Sequence, residues 1–132
     1  MLTTYFQNCI MGNVFRTKTS PGIPTTMYIG LSTTTPSVNG SGVTEPSGGN
    51  YSRVAMTGLS VPSDGAIHNS NDIEFPVSTT DWGTMTYYVI YDAKTAGNLL
   101  AYGALERSRV IQVDSQPRFL ADSITITLKN ET

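Results

Sequence analysis

Thr84-Met85-Thr86-Tyr87-Tyr88-Val89-Ile90-Tyr91 is the most strongly β-forming stretch of the chain. β-Branched and aromatic side chains fit a pleated surface and crowd a helix. At period two, Met85, Tyr87, Val89 and Tyr91 take one face, and Thr86, Tyr88 and Ile90 the other. Both faces are apolar enough to need cover. Asp81-Trp82-Gly83 stands before it, where the aspartate can close an Asx turn and the indole can cover the end of a core.

On either side of this stretch the same signal recurs in shorter form. Toward the C-terminus, 99–105, 110–113 and 124–128 read as strands, the last with Ile124, Ile126 and Leu128 on one face and Thr125, Thr127 and Lys129 on the other. Toward the N-terminus, Met27, Ile29 and Leu31 alternate with Tyr28, Gly30 and Ser32, and Tyr51, Arg53 and Ala55 with Ser52, Val54 and Met56. Ile67 and Ile73-Glu74-Phe75 make brief strands about the polar turn 68–72, and Pro76 ends the second by withholding a backbone donor. Only residues 1–16 break the period: Leu2, Phe6, Cys9 or Ile10, and Phe15 recur at helical spacing, with Thr4 and Gln7 as a capping box. Residues 17–25, carrying Pro21, Gly22 and Pro24, form a connector. Residues 32–50 gather prolines and glycines among serine and threonine into a long exposed loop.

Roughly seven to nine short strands, spaced about 8 to 12 residues apart and joined by Gly, Pro and Asn turns, predict an all-β fold. The expected architecture is an antiparallel, jelly-roll-like β-sandwich with one short N-terminal helix. It is expected to occupy 1–132 as a single domain, since 132 residues are enough to bury one core and no linker divides them.

The composition narrows function by exclusion. Charged residues make up only 14% of the chain, eight basic against ten acidic, scattered without runs and summing to −2. That is no footprint for nucleic acid or anionic lipid. No apolar run approaches the roughly 20 residues of a membrane helix, and no signal-peptide pattern opens the chain. The single cysteine, Cys9, has no partner within the chain and reads as a small hydrophobe, in keeping with assembly in a reducing host cytoplasm.

A search for chemistry yields no catalytic, cofactor-binding or metal residues to assign. One Cys and one His, far apart, make no transition-metal set, although a ring of His68 about an oligomer axis would offer one. A serine triad would have to use His68, and no Gly-x-Ser-x-Gly elbow follows a strand. Asp81 with Asp92, or Asp72 with Glu74, are carboxylate pairs of the kind a glycosidase needs, but nothing in their spacing selects them. Asp64, Asn69, Asn71 and Asp72 are hard oxygen ligands for calcium without the ordered spacing of an EF-hand. The glycines at 40, 42, 48 and 49 open no helix and precede no phosphate-binding lysine, and so read as turn glycines. Seven tyrosines supply core packing, an aromatic protein interface or a sugar-stacking patch.

Several ordered segments carry a resemblance. Met27-Tyr28-Ile29-Gly30-Leu31-Ser32-Thr33-Thr34-Thr35-Pro36, Glu45-Pro46 and Gly48-Gly49-Asn50-Tyr51-Ser52-Arg53-Val54 resemble a family of small tailed-phage virion proteins, commonly called phage tail fibre proteins. Ile73-Glu74-Phe75-Pro76, Asp81 to Thr86, Ile90 to Ala93 and Gly97 to Leu105 extend the likeness over most of the chain. Tyr87-Tyr88-Val89 and Ala96-Gly97 depart from it.

The resemblance implies a structural virion protein with no catalytic residues. The expectation is therefore a non-enzymatic module on a tailed-phage particle, either tail-associated or a capsid decoration protein. It would be held by protein-protein contacts with other virion proteins and with copies of itself in a homo-oligomer. A receptor-binding, lectin-like domain contacting a host glycan is the alternative. No heptads or fibre repeats are present, so the shape expected is globular.

Overall fold

The computed structural model describes residues 1–17 and 21–128. The part of the connector at 18–20, and Lys129 at the end of the last alternating segment, lie outside the described residues. One helix, α1 (Thr4–Phe15), precedes β1 (Tyr28–Ser32), β2 (Val54–Ala55), β3 (Ala66–His68), β4 (Ile73–Glu74), β5 (Gly83–Tyr91), β6 (Leu99–Ile111), β7 (Arg118–Phe119) and β8 (Thr125–Thr127). The fold is all-β and antiparallel with one short N-terminal helix, as the alternation predicts. None of the described helices is long and apolar enough to cross a membrane.

Four strands form the main sheet in the order β2-β1-β5-β6, while β3 pairs with β8 and β4 with β7 as separate two-stranded ribbons. The layers are joined by one core. Ile29 and Leu31 of β1, Met85 and Ile90 of β5, and Ala101 and Ile111 of β6 pack with Ile73, Phe75 and Ile124 of the ribbon layer. Trp82 closes the same cluster, 5% exposed, and its Nε1 donates to the Gly49 carbonyl at 2.9 Å. Each of the large side chains here contributes about 1.5–3 kcal/mol by leaving water. The sandwich is thus lopsided, a continuous sheet facing two short ribbons.

The other face of the main sheet is also covered. Val89, Tyr91, Leu99 and Tyr102 form a second cluster, joined by Tyr87 and by Val43 from the long loop. Residues 33–50 are mostly exposed, but Pro36 is buried and Val43 and Glu45 are half-buried. α1 packs on β6, and the segment leading into it runs along the edge of that strand: Leu2 bridges Ala101, Thr3 N–H donates to the Leu100 carbonyl, and Tyr102 N–H donates to the Met1 carbonyl.

Four local expectations are corrected. The helix cap is Thr3, not Thr4: its fully buried hydroxyl accepts from Phe6 N–H and donates to the Leu99 carbonyl at 2.6 Å, so the cap also ties the helix to the sheet. The segments at 99–105 and 110–113 are one strand, β6, running 13 residues from Leu99 to Ile111. Met85 lies in the core with Tyr88 and Ile90, not with Tyr87 and Val89. The register explains this: Tyr87 pairs with Ala104 but Met85 with Arg109, so four residues of β6 stand opposite Thr86 alone. Such a bulge reverses the alternation on either side of it. Finally, β2 is only two residues long, because the chain before it is held by side chains instead of a ladder.

Candidate interaction surface

The densest polar constellation lies where β2 stops short. The edge N–H of Leu31 donates to the Tyr51 hydroxyl at 3.0 Å, and that hydroxyl donates to Glu45 Oε2 at 2.5 Å. Arg53 meets the same carboxylate from the other side, Nη2 at 2.6 Å from Oε1 and Nε at 3.1 Å from both oxygens. Its Nη1 donates to the carbonyls of Ala93 and Ala96 at 2.9 and 2.7 Å, and its guanidinium carbon lies 3.6 Å from the Tyr91 ring centroid. Burial, and then the hydrogen bond with Glu45, hold the Tyr51 phenol well above the usual tyrosine range. Gly30 makes room for the cluster: a Cβ there would stand 2.5 Å from the Tyr51 hydroxyl and 2.7 Å from Glu45 Oε2. Every guanidinium nitrogen of Arg53 is engaged internally, so this node fastens the long loop and the 93–97 turn to the sheet and offers nothing to a ligand.

A second constellation is a serine, a histidine and an aspartate. Ser60 Oγ lies 3.3 Å from His68 Nδ1, and His68 Nε2 lies 2.8 Å from Asp122 Oδ1. Chain order and proximity resemble a hydrolytic triad, but the setting does not. Ser60 Oγ accepts from the backbone N–H of His68 at 3.0 Å, and Ser60 N–H donates to the His68 carbonyl. The hydroxyl thus stands in for a ladder carbonyl, while the His68 and Asp122 side chains are 44% and 71% exposed in an open setting. The structural role, fastening β3 to the 120–123 turn, accounts for the three residues.

The carboxylates singled out from the sequence do not converge. Asp81 accepts from Val113 N–H at 2.9 Å, Asp92 accepts from Asn98 N–H at 2.7 Å, and Asp72 accepts from Ala121 N–H at 2.9 Å. Each caps a turn in a different part of the fold. Glu74 stands 3.7 Å from Arg118 across the β4–β7 ribbon. Asn69 is fully buried, donating to the carbonyls of Asn71 and Leu120 and accepting from Ile124 N–H. Among the described residues, no three of His, Cys, Asp and Glu gather as metal ligands. Cys9 is buried and its thiol points at the Gly22 carbonyl, 3.3 Å away.

All seven tyrosines are buried or half-buried. Tyr88 packs against the main core, and Tyr87 tilts on Tyr102 at 6.5 Å between centroids. The strand tyrosines of the aromatic patch read from the sequence, Tyr87, Tyr88, Tyr91 and Tyr102, are therefore packing residues. Exposed apolar side chains lie elsewhere, singly at Val61, Val110 and Leu120 and grouped on α1. α1 buries only Cys9 completely, while Met11, Val14 and Phe15 are 55%, 60% and 73% exposed. Beside them runs an open groove of about 600 Å³ lined by Tyr5, Cys9, Met11, Phe15 and Pro21. The sequence carried part of this signal, an apolar helix, but not which of its faces the sheet would leave uncovered.

The acids thus cap turns, the buried arginine is fully engaged, and α1 turns apolar side chains outward. Comparison with curated proteins finds no match. Among protein-family models, the one described as podophage GP4 fiber I protein gp80 matches residues 1–127 of the 132. The chain belongs to the podophage GP4 fiber I protein gp80 family, and so to the structural proteins of the phage tail.

Proposed function

We propose that this chain is a non-catalytic β module, folded as one domain, that joins the phage tail through the outward face of α1, using apolar contact instead of charge. The observation that carries the reading is the exposure of Met11, Val14 and Phe15 on a helix only 12 residues long. Contiguous apolar surface of this kind on a soluble protein marks a contact with another macromolecule. The helix is firmly seated to present it, with its cap Thr3 fully buried against β6. Contacts of modest individual strength suffice when a particle carries the protein in several copies, because each further contact is intramolecular. Self-association into a homo-oligomer fits the same face, and assembly of the particle takes place in the host cytoplasm.

The family favours a place on the tail over one on the capsid lattice. A glycan-binding role has less support, because the strand tyrosines Tyr87, Tyr88, Tyr91 and Tyr102 are packed in the two apolar clusters. Complementation tests the reading. Particles from a host supplying the protein in trans are expected to contain the wild-type chain but to lack the Val14→Asp/Phe15→Asp variant, with circular dichroism confirming that the variant is folded. Equal incorporation of the folded variant would overturn the assignment of α1 as the attachment surface.

A further inference from the structure

Along the outer edge of the main sheet, β6 is only half covered. Residues 1–3 lie along its outer edge as far as Tyr102, and among the described residues no element pairs with that edge from Gly103 to Val110. The part of β6 opposite Thr86 is also free of its neighbour on the other side. An open strand edge is a row of unmet donors and acceptors and a template for another extended chain.

Below this edge, a groove of about 500 Å³ opens between β6 and β7. Its floor is apolar, with Met85, Tyr88, Leu105 and Phe119 contributing, and Arg107, Arg109 and Arg118 all line it. Three of the chain's eight basic residues thus converge on one seam of a protein whose net charge is −2. Arg107 and Arg109 make no ion pair among the described residues, and Arg118 has only Glu74 at 3.7 Å, with both side chains 49% exposed. Glu106 is the one acid lining the groove.

We infer that this seam receives an extended, acidic polypeptide segment of another virion protein, added as a strand along β6. Main-chain hydrogen bonds to residues 103–110 hold it, and the carboxylates on its groove-facing side meet Arg107, Arg109 and Arg118. Residues 1–3 already occupy the adjoining half of the edge in this manner. A second copy of the chain is a poor occupant. Antiparallel self-pairing about Arg107, Ser108 or Arg109 sets arginine opposite arginine, which is destabilising. The inference takes from the proposed function only that the partner belongs to the virion; binding at the seam stands apart from attachment through α1.

The test uses the whole protein and three fluorescent peptides: one alternating glutamate with valine, one alternating lysine with valine, and the glutamate peptide N-methylated at alternate residues to block strand pairing. Saturable binding of the first alone is expected, with hydrogen-exchange protection confined to residues 103–110. Loss of about tenfold in affinity is expected for the exposed pair Arg107→Glu/Arg109→Glu. Equal binding of the lysine or N-methylated peptide, protection elsewhere, unchanged affinity in the variant, or no binding of the glutamate peptide would overturn the inference. Binding of an oligogalacturonate at the same arginines, without amide protection, would overturn it in favour of an anionic glycan. None of these results bears on incorporation through α1, so the two proposals fail separately.

Discussion

Arg53 holds Glu45 through both carboxylate oxygens, at 2.6 to 3.1 Å, with 9% and 18% of the two side chains exposed. The pair closes the end of the 33–50 loop onto the sheet, where Tyr51 and the carbonyls of Ala93 and Ala96 complete it.

Removing one member of such a pair leaves the other buried without its partner. Arg53→Ala and Glu45→Ala are each expected to cost about 3–5 kcal/mol, and the double variant less than the sum of the two. Glu45→Gln keeps an acceptor for both Arg53 and Tyr51 and should cost less than either. Urea unfolding of the four proteins checks this, and additive losses would show that the two side chains act independently.

Alkaline pH should loosen the same node. Burial, then the Glu45 contact, raise the Tyr51 pKa above its unfolded value, and burial raises those of Tyr88 and Tyr91. A raised folded pKa means that the native state holds its proton more tightly. The contribution is therefore complete below about pH 10, where tyrosine is neutral in both states, and declines above it as the unfolded chain ionises. Thermal melts should show stability falling steeply above about pH 10, and Tyr51→Phe should flatten that slope although it costs about 1–3 kcal/mol at neutral pH. An identical slope in the variant would place the effect elsewhere.

Gly103 is required by the ring of its cross-strand neighbour. It pairs with Tyr88, and a Cβ there would stand 2.6 Å from ring carbons of that side chain. Gly103→Ala is expected to destabilise by about 1–3 kcal/mol through overpacking. Adding Tyr88→Leu should recover part of that loss. Equal melting temperatures for Gly103→Ala and the wild type would contradict the packing described.

How much of this was legible in the sequence differs by element. The strands β1 and β5 were readable because two covered faces demand apolar or β-branched residues at nearly every position. The position of Met85 was not, since the inversion at Thr86 is set by extra residues in β6, far along the chain. The continuity of β6 was hidden by Glu106 to Arg109, whose polar run carries no alternation. β7, only Arg118 and Phe119, exists only through its pairing with Ile73 and Glu74. Glu45 and Arg53 stand in the segments that carried the family resemblance, yet their bond depends on a turn whose geometry composition does not reveal. The tyrosines were visible as packing residues, while the uncovered face of α1 follows only from how the helix sits on β6.

Apolar contact through α1 is what we propose holds this module in the tail. A particle reconstruction at side-chain resolution would display that contact. Met11, Val14 and Phe15 are expected to lie buried against a neighbouring protein; the same three side chains facing solvent, with the module held by another surface, would overturn the proposal.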